Sequence, residues 1–396
     1  MISERRLTLI ASVMVIIGPL SLSLYTPAMP SLVRELHTDA AMIKLSLTVY
    51  LAGFALAQLL CGPLSDRLGR RLVVLLFSAV YVAGSLLVVA SQSVEGLLIG
   101  RVVQGVGGCA GVALSRAMVR DCFTGQVAAR IMVTIAMFLS IAPALGPIIG
   151  SFLLRFSGWH AIFLVMAAYG VLLMALMAAT PETNRTPDPQ AFDLLRMLAN
   201  YRLLLGEPVY LRNVAVSALA VGGLYTFHSV TPFVYVDAIG LTPESFALVM
   251  LTSAFAFFAG SFVTNRLLRR HEARALVLGG ILLTLLGGLG LVAGLQLLPP
   301  SVPGVALPVM CWAFGAAMLL PGATVDALAP FPQAAGAASA MMGFLQMAAG
   351  VMGTALASAF ASSVDALAAV PFAMALLSLV LFALVRPRAA RVRAAE

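Results

Sequence analysis

The sequence predicts an all-α membrane protein of twelve transmembrane helices in two pseudo-symmetric six-helix bundles. Three observations carry that prediction. Hydrophobic residues fill 61% of the 396 positions and charged ones only 10%, with a mean hydropathy of +1.02, far from the balance of a soluble chain. Uncharged runs long enough to cross a bilayer core, roughly 20 residues of helix, recur along the chain, without the alternation that barrel strands would need. The basic cluster DRLGRR at 66–71 returns as NRLLRR at 265–270, half a chain later.

Cutting at charges, prolines and polar turns sets the first six spans near 7–29, 42–64, 72–91, 94–116, 130–154 and 159–180. The second six fall near 212–236, 244–264, 274–298, 303–326, 333–359 and 364–386. The opening ERR and the apolar stretch after it have the outline of a signal peptide, but the uncharged run from Leu7 to Val33 exceeds an h-region and reads as a retained helix. The uncharged run Ala275 to Val325 must be two helices, turned by LPPSVPG at 298–304. The hydrophilic stretch 181–208 lies at the midpoint. It divides the chain into an N-terminal bundle (1–180), a cytoplasmic linker (181–211) and a C-terminal bundle with a short basic tail (212–396). Within it Phe192, Leu195, Leu198 and Leu203 recur at roughly helical spacing beside Arg196 and Arg202, so the linker is either an interfacial helix or a disordered loop.

The formal net charge of +8 does not indicate nucleic acid, because the basic residues gather in alternate loops. With the amino terminus inside, Arg5, Arg6, the 67–71 group, Arg116, Arg120, Arg130, the central stretch, the 266–274 group and the tail all face the cytoplasm. Arg34, Lys44, Arg101 and Arg155 remain outside or within the membrane. The positive-inside rule therefore predicts one orientation, with both termini cytoplasmic, and the location expected for this multi-pass protein is the inner membrane. Cys61, Cys109, Cys122 and Cys311 are scattered, as are His37, His160, His228 and His271, so neither a disulfide framework nor a metal site is expected. No nucleophile–base pair appears, which argues against an enzyme. GVGGCAG at 105–111 lies inside a span with no strand before it, which excludes a phosphate loop and leaves close helix packing.

Gly62, Asp66, Arg67, Gly69, Arg70 and Arg71 match the GxxxDRxGRR signature, and on it the chain resembles the major facilitator superfamily over essentially its whole length. The resemblance implies the major facilitator fold, with Asp66 at a helix junction in the layer that closes the cytoplasmic side, balancing arginines and a neighbouring helix end. Arg101, Gln104 and Gly105 look like the family's RxxQG motif, and APALGPIIG at 142–150 looks like the fifth-helix motif of its antiporters. YTPAMP at 25–30, RDCF at 120–123, TPFVY at 231–235 and PFPQAAGAASAMMGF at 330–344 resemble the Bcr/CflA group of drug:proton antiporters. Asp121 of RDCF is assigned with the DRxGRR residues to the cytoplasmic gate. One position departs: where that group usually carries an acid two residues before the tyrosine of the first helix, this chain has Ser23.

Several of these residues leave two readings open. A charge at the depth of Arg101 costs about 2.5 to 3.5 kcal/mol on insertion scales; it either snorkels to the outer surface or points inward beside Gln104, where its field couples substrate to protons as the resemblance implies. His228 is either a neutral imidazole hydrogen-bonded at the kink that Pro232 introduces, or a proton carrier. Asp326, at the inner end of the tenth span, is open in the same way. Pro143, Gly146, Pro147 and Gly150 share one helix face, either as a packing kink or as the flexible, leak-proof hinge that the resemblance implies.

The function expected is export of small amphipathic molecules by proton antiport through alternating access, with the proton gradient as energy source, no cofactor, and a monomer in the bilayer. An exporter or importer of a metabolite, peptide or siderophore on the same fold is the alternative. Tyr25, Tyr50, Phe54, Phe138, Tyr225, Phe227, Phe314, Phe344 and Gln346 are the candidate cavity residues, since aromatic bodies and a few polar groups suit loosely specified apolar ligands. Lacking a first-helix carboxylate, the cavity is expected to favour neutral or weakly polar substrates over obligate cations.

Overall fold

A computed structural model describes residues 2–184, 187–189, 191, 193–268, 270–331 and 335–385, and every regular element among them is helical. In lipid this is forced, because a helix satisfies its backbone polar groups within one segment. The first span begins as α1 (Glu4–Ser23), where the Ser3 hydroxyl accepts the Arg6 amide. At the prolines of YTPAMP it passes through a 3-10 turn (Thr26–Ala28) into the short α2 (Met29–Glu35). Asp39 caps α3 (Ala40–Leu68), and Gly69, at φ 95°, turns the chain into α4 (Arg70–Val89). Ser93 caps α5 (Val94–Cys122).

The next helix, α6 (Gly125–Ala178), runs 54 residues, broken at Gly158 (φ 73°, ψ 179°). The break reverses the chain. Arg130, in its first limb, pairs with Glu4, and Gly150 lies on Leu24 near the far end of α1. The second limb then returns: the Tyr169 hydroxyl donates to the Val13 carbonyl at 2.6 Å, and Arg6 donates to the Ala179 carbonyl. Eleven stretches among the described residues are long and apolar enough to cross a membrane, and one of them, Pro143–Ala178, contains this reversal and so makes two passes. The passes thus number the expected twelve.

Helix α7 (Leu194–Leu205) forms in the linker, with Leu198, Leu203 and Leu205 exposed and Leu204 buried. Phe192, expected to start it, lies outside the described residues, as do the side chains of Leu195 and Arg196. The second half follows as α8 (Pro208–Phe233), α9 (Pro243–Leu267), α10 (Ala273–Val292), α11 (Val302–Leu328), α12 (Ala335–Ser358) and α13 (Ser363–Leu384). Several helices outrun the expected spans; α5 ends at Cys122 rather than 116, and α3 at Leu68 rather than 64. Their ends are set by caps and turns rather than by the first charge.

The two halves repeat one packing map. In the first, α4 packs on α5 and α6, α3 on α5, and α1 on α5 and α6; in the second, α10 packs on α11 and α13, α9 on α11, and α8 on α11 and α13. Between them α3 lies against α12 and α6 against α9, contacts that a twofold exchange of the halves converts into one another. A core around Tyr81, Leu114 and Phe163 fills the first half, and one around Val277, Trp312 and Leu367 the second.

The reversal at Gly158 needs a backbone conformation that only glycine adopts readily. Gly158→Val should destabilise the folded chain by about 1–3 kcal/mol, read as a lowered midpoint of thermal unfolding in detergent. An unchanged midpoint would mean that the turn is not strained by a side chain.

Candidate functional site

Two polar clusters stand out, one at a face of the molecule and one at depth. The face cluster gathers the ends of α3, α4, α5 and α6. Arg70 holds it: its guanidinium bridges Asp66, one turn back, and Asp121 at the end of α5 at 2.9 Å, and donates to the Ser65 hydroxyl at 2.6 Å. The Arg70 side chain is one-tenth exposed, so these bonds are less screened than a surface pair. Arg71 donates to the Ala178 carbonyl at the end of α6 (2.7 Å), and Arg67 is exposed.

The helix end in this layer is capped by Glu182 rather than by Asp66. The Glu182 carboxylate accepts the Arg70 and Arg71 amides at 2.9 and 3.0 Å, the first free donors of α4, and also the amides of Thr183 and Asn184. Asn184 and the amide of Asp188 bind the Asp66 carbonyl, and Thr183 donates to Asp121. The start of the linker is thereby strapped across the DRxGRR loop. Gly69 makes room for it, since a Cβ there would meet the Glu182 carboxylate. A Cβ at Gly62 would meet nothing within 4 Å, so Gly62 supports no close contact in this state. Sequence reasoning missed Glu182; its one signal is that it is the first acid after the sixth span.

The deep cluster is built on Arg101, which is fully buried; of its two open placements the structure takes the inward one. Its Nη1 donates to the Gln104 amide oxygen at 2.6 Å and to the Ser21 carbonyl at 3.3 Å. The guanidinium lies over the rings of Tyr50 (4.3 Å), Tyr25 (4.7 Å) and Phe163 (5.9 Å). No carboxylate pairs with it among the described residues, and its Nε and Nη2 find no acceptor there. Three ring contacts at about 0.5 to 2 kcal/mol each are of the size needed to offset an insertion cost of about 2.5 to 3.5 kcal/mol. Gln104 extends the network to Ser85 (2.8 Å), Tyr25 bonds Ser46 (2.8 Å), Tyr50 bonds the Gly18 carbonyl, and Ser21 bonds Tyr81. Ser21, Ser46, Tyr81, Ser85 and Phe163 were not singled out from the sequence, where nothing sets them apart from other helix residues.

Ser23 is turned away from this cluster. Its hydroxyl donates to the Pro19 carbonyl at 2.8 Å, and Gly146 of α6 lies directly against it. Gly150 likewise sits on the Leu24 carbonyl. Gly146 and Gly150, one turn apart on the face they share with Pro143 and Pro147, therefore pack α6 against the broken end of α1 inside the first bundle.

The predicted cavity residues are dispersed. Tyr25, Tyr50 and Phe54 are buried around Arg101 and Gly108. Tyr225 packs on Gly350 and joins the first half's core, whereas Phe227 is buried edge-on to Trp312 in the second half's core. Phe314 is partly exposed on α11, Phe344 packs in a small cluster with Tyr210 and Met341, and Gln346 donates to Ser217 at 3.4 Å. Phe138 alone of the nine lines a cavity of about 700 Å³ between α1 and the first limb of α6. His228 is partly buried, and its Nδ1 has no hydrogen-bond partner among the described residues. Asp326 lies within electrostatic reach of Arg212.

The halves are joined at the face opposite the Arg70 cluster. Lys44 lies over the Phe233 ring at 5.3 Å, Arg155 approaches Glu244 at 3.9 Å, and Thr48 bonds Thr354 at 2.8 Å. On the Arg70 side Tyr201 of α7 reaches the Leu59 carbonyl of α3 at 3.4 Å.

A duplicated helical bundle with polar groups near its middle and ionic loops at one face is the architecture of a membrane transporter. The family described as the Major Facilitator Superfamily matches residues 11–354, and the chain belongs to it: it is a multi-pass membrane transporter of small molecules, not an enzyme. It is 29% identical to an uncharacterized MFS-type transporter, YdgK, of Bacillus subtilis over 96% of both chains. It is 28% identical to a bicyclomycin resistance protein homolog of Haemophilus influenzae over 86% of each, and 27% identical to multidrug resistance protein D of Escherichia coli over 86% of this chain and 85% of that one. The crystal structure of a D-xylose-proton symporter superimposes with a TM-score of 0.78 over 96% of this chain and 98% of that one; at 15% identity the likeness is one of fold.

The strap and the loop under it form one unit, so their losses should overlap. Glu182→Ala should cost about 1–2 kcal/mol and Gly69→Ala a similar amount, while the double variant costs measurably less than their sum. Thermal unfolding of the four proteins checks this; strict additivity would separate Glu182 from the loop.

Proposed function

We propose that this chain exports small amphipathic molecules across the inner membrane by proton antiport, with the bundles 1–180 and 212–396 rocking about a central site. Its relatives carry the names of bicyclomycin and multidrug resistance proteins, which supports drug efflux. The face bearing Arg5, Arg6 and the 66–71 loop is the cytoplasmic one, since basic loops stay inside, and both termini lie there. Contacts joining the halves at the opposite face then favour an inward-facing state.

The observation that carries the reading is the buried, acid-free Arg101. A fixed positive charge at this depth attracts the electron-rich groups of a substrate and disfavours a proton nearby, so it acts on both ligands from one position. With Ser23 in place of the first-helix acid, the proton falls to His228. Its unpartnered Nδ1 lies one turn from Tyr225, which faces the first half, and thus within reach of both bundles. Asp326 instead serves the Arg212 end of the second bundle. Neutral or weakly polar substrates are preferred, because no carboxylate partners the Arg101 cluster among the described residues.

In proteoliposomes, substrate addition should release protons in the wild type. Arg101→Ala should insert normally but lower transport at least about tenfold, the loss of one charged interaction. His228→Gln should still equilibrate substrate without moving protons. Proton release unchanged in His228→Gln would reassign the proton site, and full transport by Arg101→Ala would overturn the role given to that residue.

A further inference from the structure

The cavity of about 700 Å³ between α1 and the first limb of α6 divides its lining by chemistry. At the basic face stand Glu4, Arg5 and Arg130. Arg130 donates to both Glu4 carboxylate oxygens, at 3.1 and 3.4 Å, but the side chains are 69% and 43% exposed, so the pair is weak and easily parted. Arg5 has no ion-pair partner among the described residues, and the rim carries one net positive charge. Toward the bilayer interior the lining becomes apolar, with Leu9 and Phe138 both partly open to it.

One polar group at depth is unspent. Ser12 lines the cavity and is 3% exposed, yet its hydroxyl has no hydrogen-bond partner among the described residues. The neighbouring lining hydroxyls behave otherwise: Thr8 donates to the Glu4 carbonyl at 2.8 Å and Thr134 to the Arg130 carbonyl at 3.1 Å, the usual way a helix satisfies such groups in apolar surroundings. An unpaired buried hydroxyl is costly to keep unless something else accepts from it.

We propose that this cavity is a binding site for a single-chain amphipathic anion. A carboxylate or phosphate head sits between Arg5 and Arg130, displacing Glu4; the alkyl or aryl body lies along Leu9 and Phe138; and an ester, amide or hydroxyl oxygen on that body accepts from Ser12. Cavity size, net rim charge, apolar wall and the unspent donor each select the same kind of molecule. The site lies between two passes of the first bundle, and its occupancy does not depend on the transport reading. Its occupant comes from the bilayer as an anionic lipid or from the aqueous side as a free amphipath.

The test uses the full chain in phosphatidylcholine nanodiscs with no gradient, labelled by a diazirine-bearing lauric acid and mapped by mass spectrometry. Label should concentrate on peptides containing residues 4–13 and 130–138, be competed by lauric acid, and resist lauryl trimethylammonium. Arg5→Gln combined with Arg130→Gln, both at exposed positions, should lower it roughly tenfold, as loss of charge-assisted bonds requires. Ser12→Phe, which fills the floor, should abolish it. Adding lysophosphatidylglycerol, a single-chain anionic lipid, to the nanodiscs separates the sources: lost labelling assigns the site to lipid, retained labelling to a free amphipath. Label spread over lipid-facing helices, equal competition by the cation, or an unchanged arginine variant overturns the site. A chain that labels here but moves no substrate leaves the site standing and overturns the transport reading instead.

Discussion

A guanidinium buried without a carboxylate is the most demanding feature of the first bundle, and much of its interior is arranged around it. Arg101 meets no acid among the described residues, so its charge is spread over aromatic faces and oriented dipoles: Tyr25, Tyr50 and Phe163 present their rings, while Gln104 and the Ser21 carbonyl accept its hydrogen bonds. Each ring is held in turn by its own hydroxyl or packing, Tyr25 through Ser46 and Tyr50 through the Gly18 carbonyl. These partners come from the first span, α3, α5 and the second limb of α6, and α4 joins through Ser85 on Gln104 and Tyr81 on Ser21, so the charge ties five passes to one point. A network of this kind is rigid when complete, because every polar member would be costly alone. That rigidity suits a bundle that moves as a body rather than deforming.

The break in α1 belongs to the same arrangement. Prolines 27 and 30 end the regular helix just past Ser23, which brings Tyr25 round to Arg101 while Ser23 and Leu24 meet the glycine face of α6. The close approach at Gly146 and Gly150 leaves little space for a longer side chain at position 23. The serine and the glycines are therefore one packing solution, and the missing acid is consistent with its neighbours rather than an isolated substitution.

At the basic face the same economy appears in ionic form. Arg70 spans Asp66 and Asp121, and Glu182 neutralises the start of α4, so the linker leaves the first bundle already bound to the loop that the repeat marks. From there α7 touches α3 through Tyr201, and the cluster of Leu204 and Tyr210 packs with Met341 and Met342 of α12. The linker is in contact with both halves at the face that carries the Arg70 cluster. At the other face Lys44, Arg155 and Thr48 reach across directly.

Hydropathy and charge alone determined the class, the twelve passes, the midpoint linker and the repeat, because crossing a bilayer imposes a length and a composition that one dimension can record. The depth of Arg101 was also legible, since a charge inside a long apolar run has few explanations. What surrounds Arg101 was not: Ser21, Tyr81, Ser85 and Phe163 come from three separate helices, and no spacing along the chain signals their meeting. The same holds for Glu182, whose role is set by the position of Gly69 more than a hundred residues earlier, and for the glycines of α6, whose partner turned out to be α1. Periodicity tells which face of a helix is special, but which neighbour it meets, and whether a ring such as Phe227 turns to a central site or into a bundle core, depends on how twelve helices pack around one another in space.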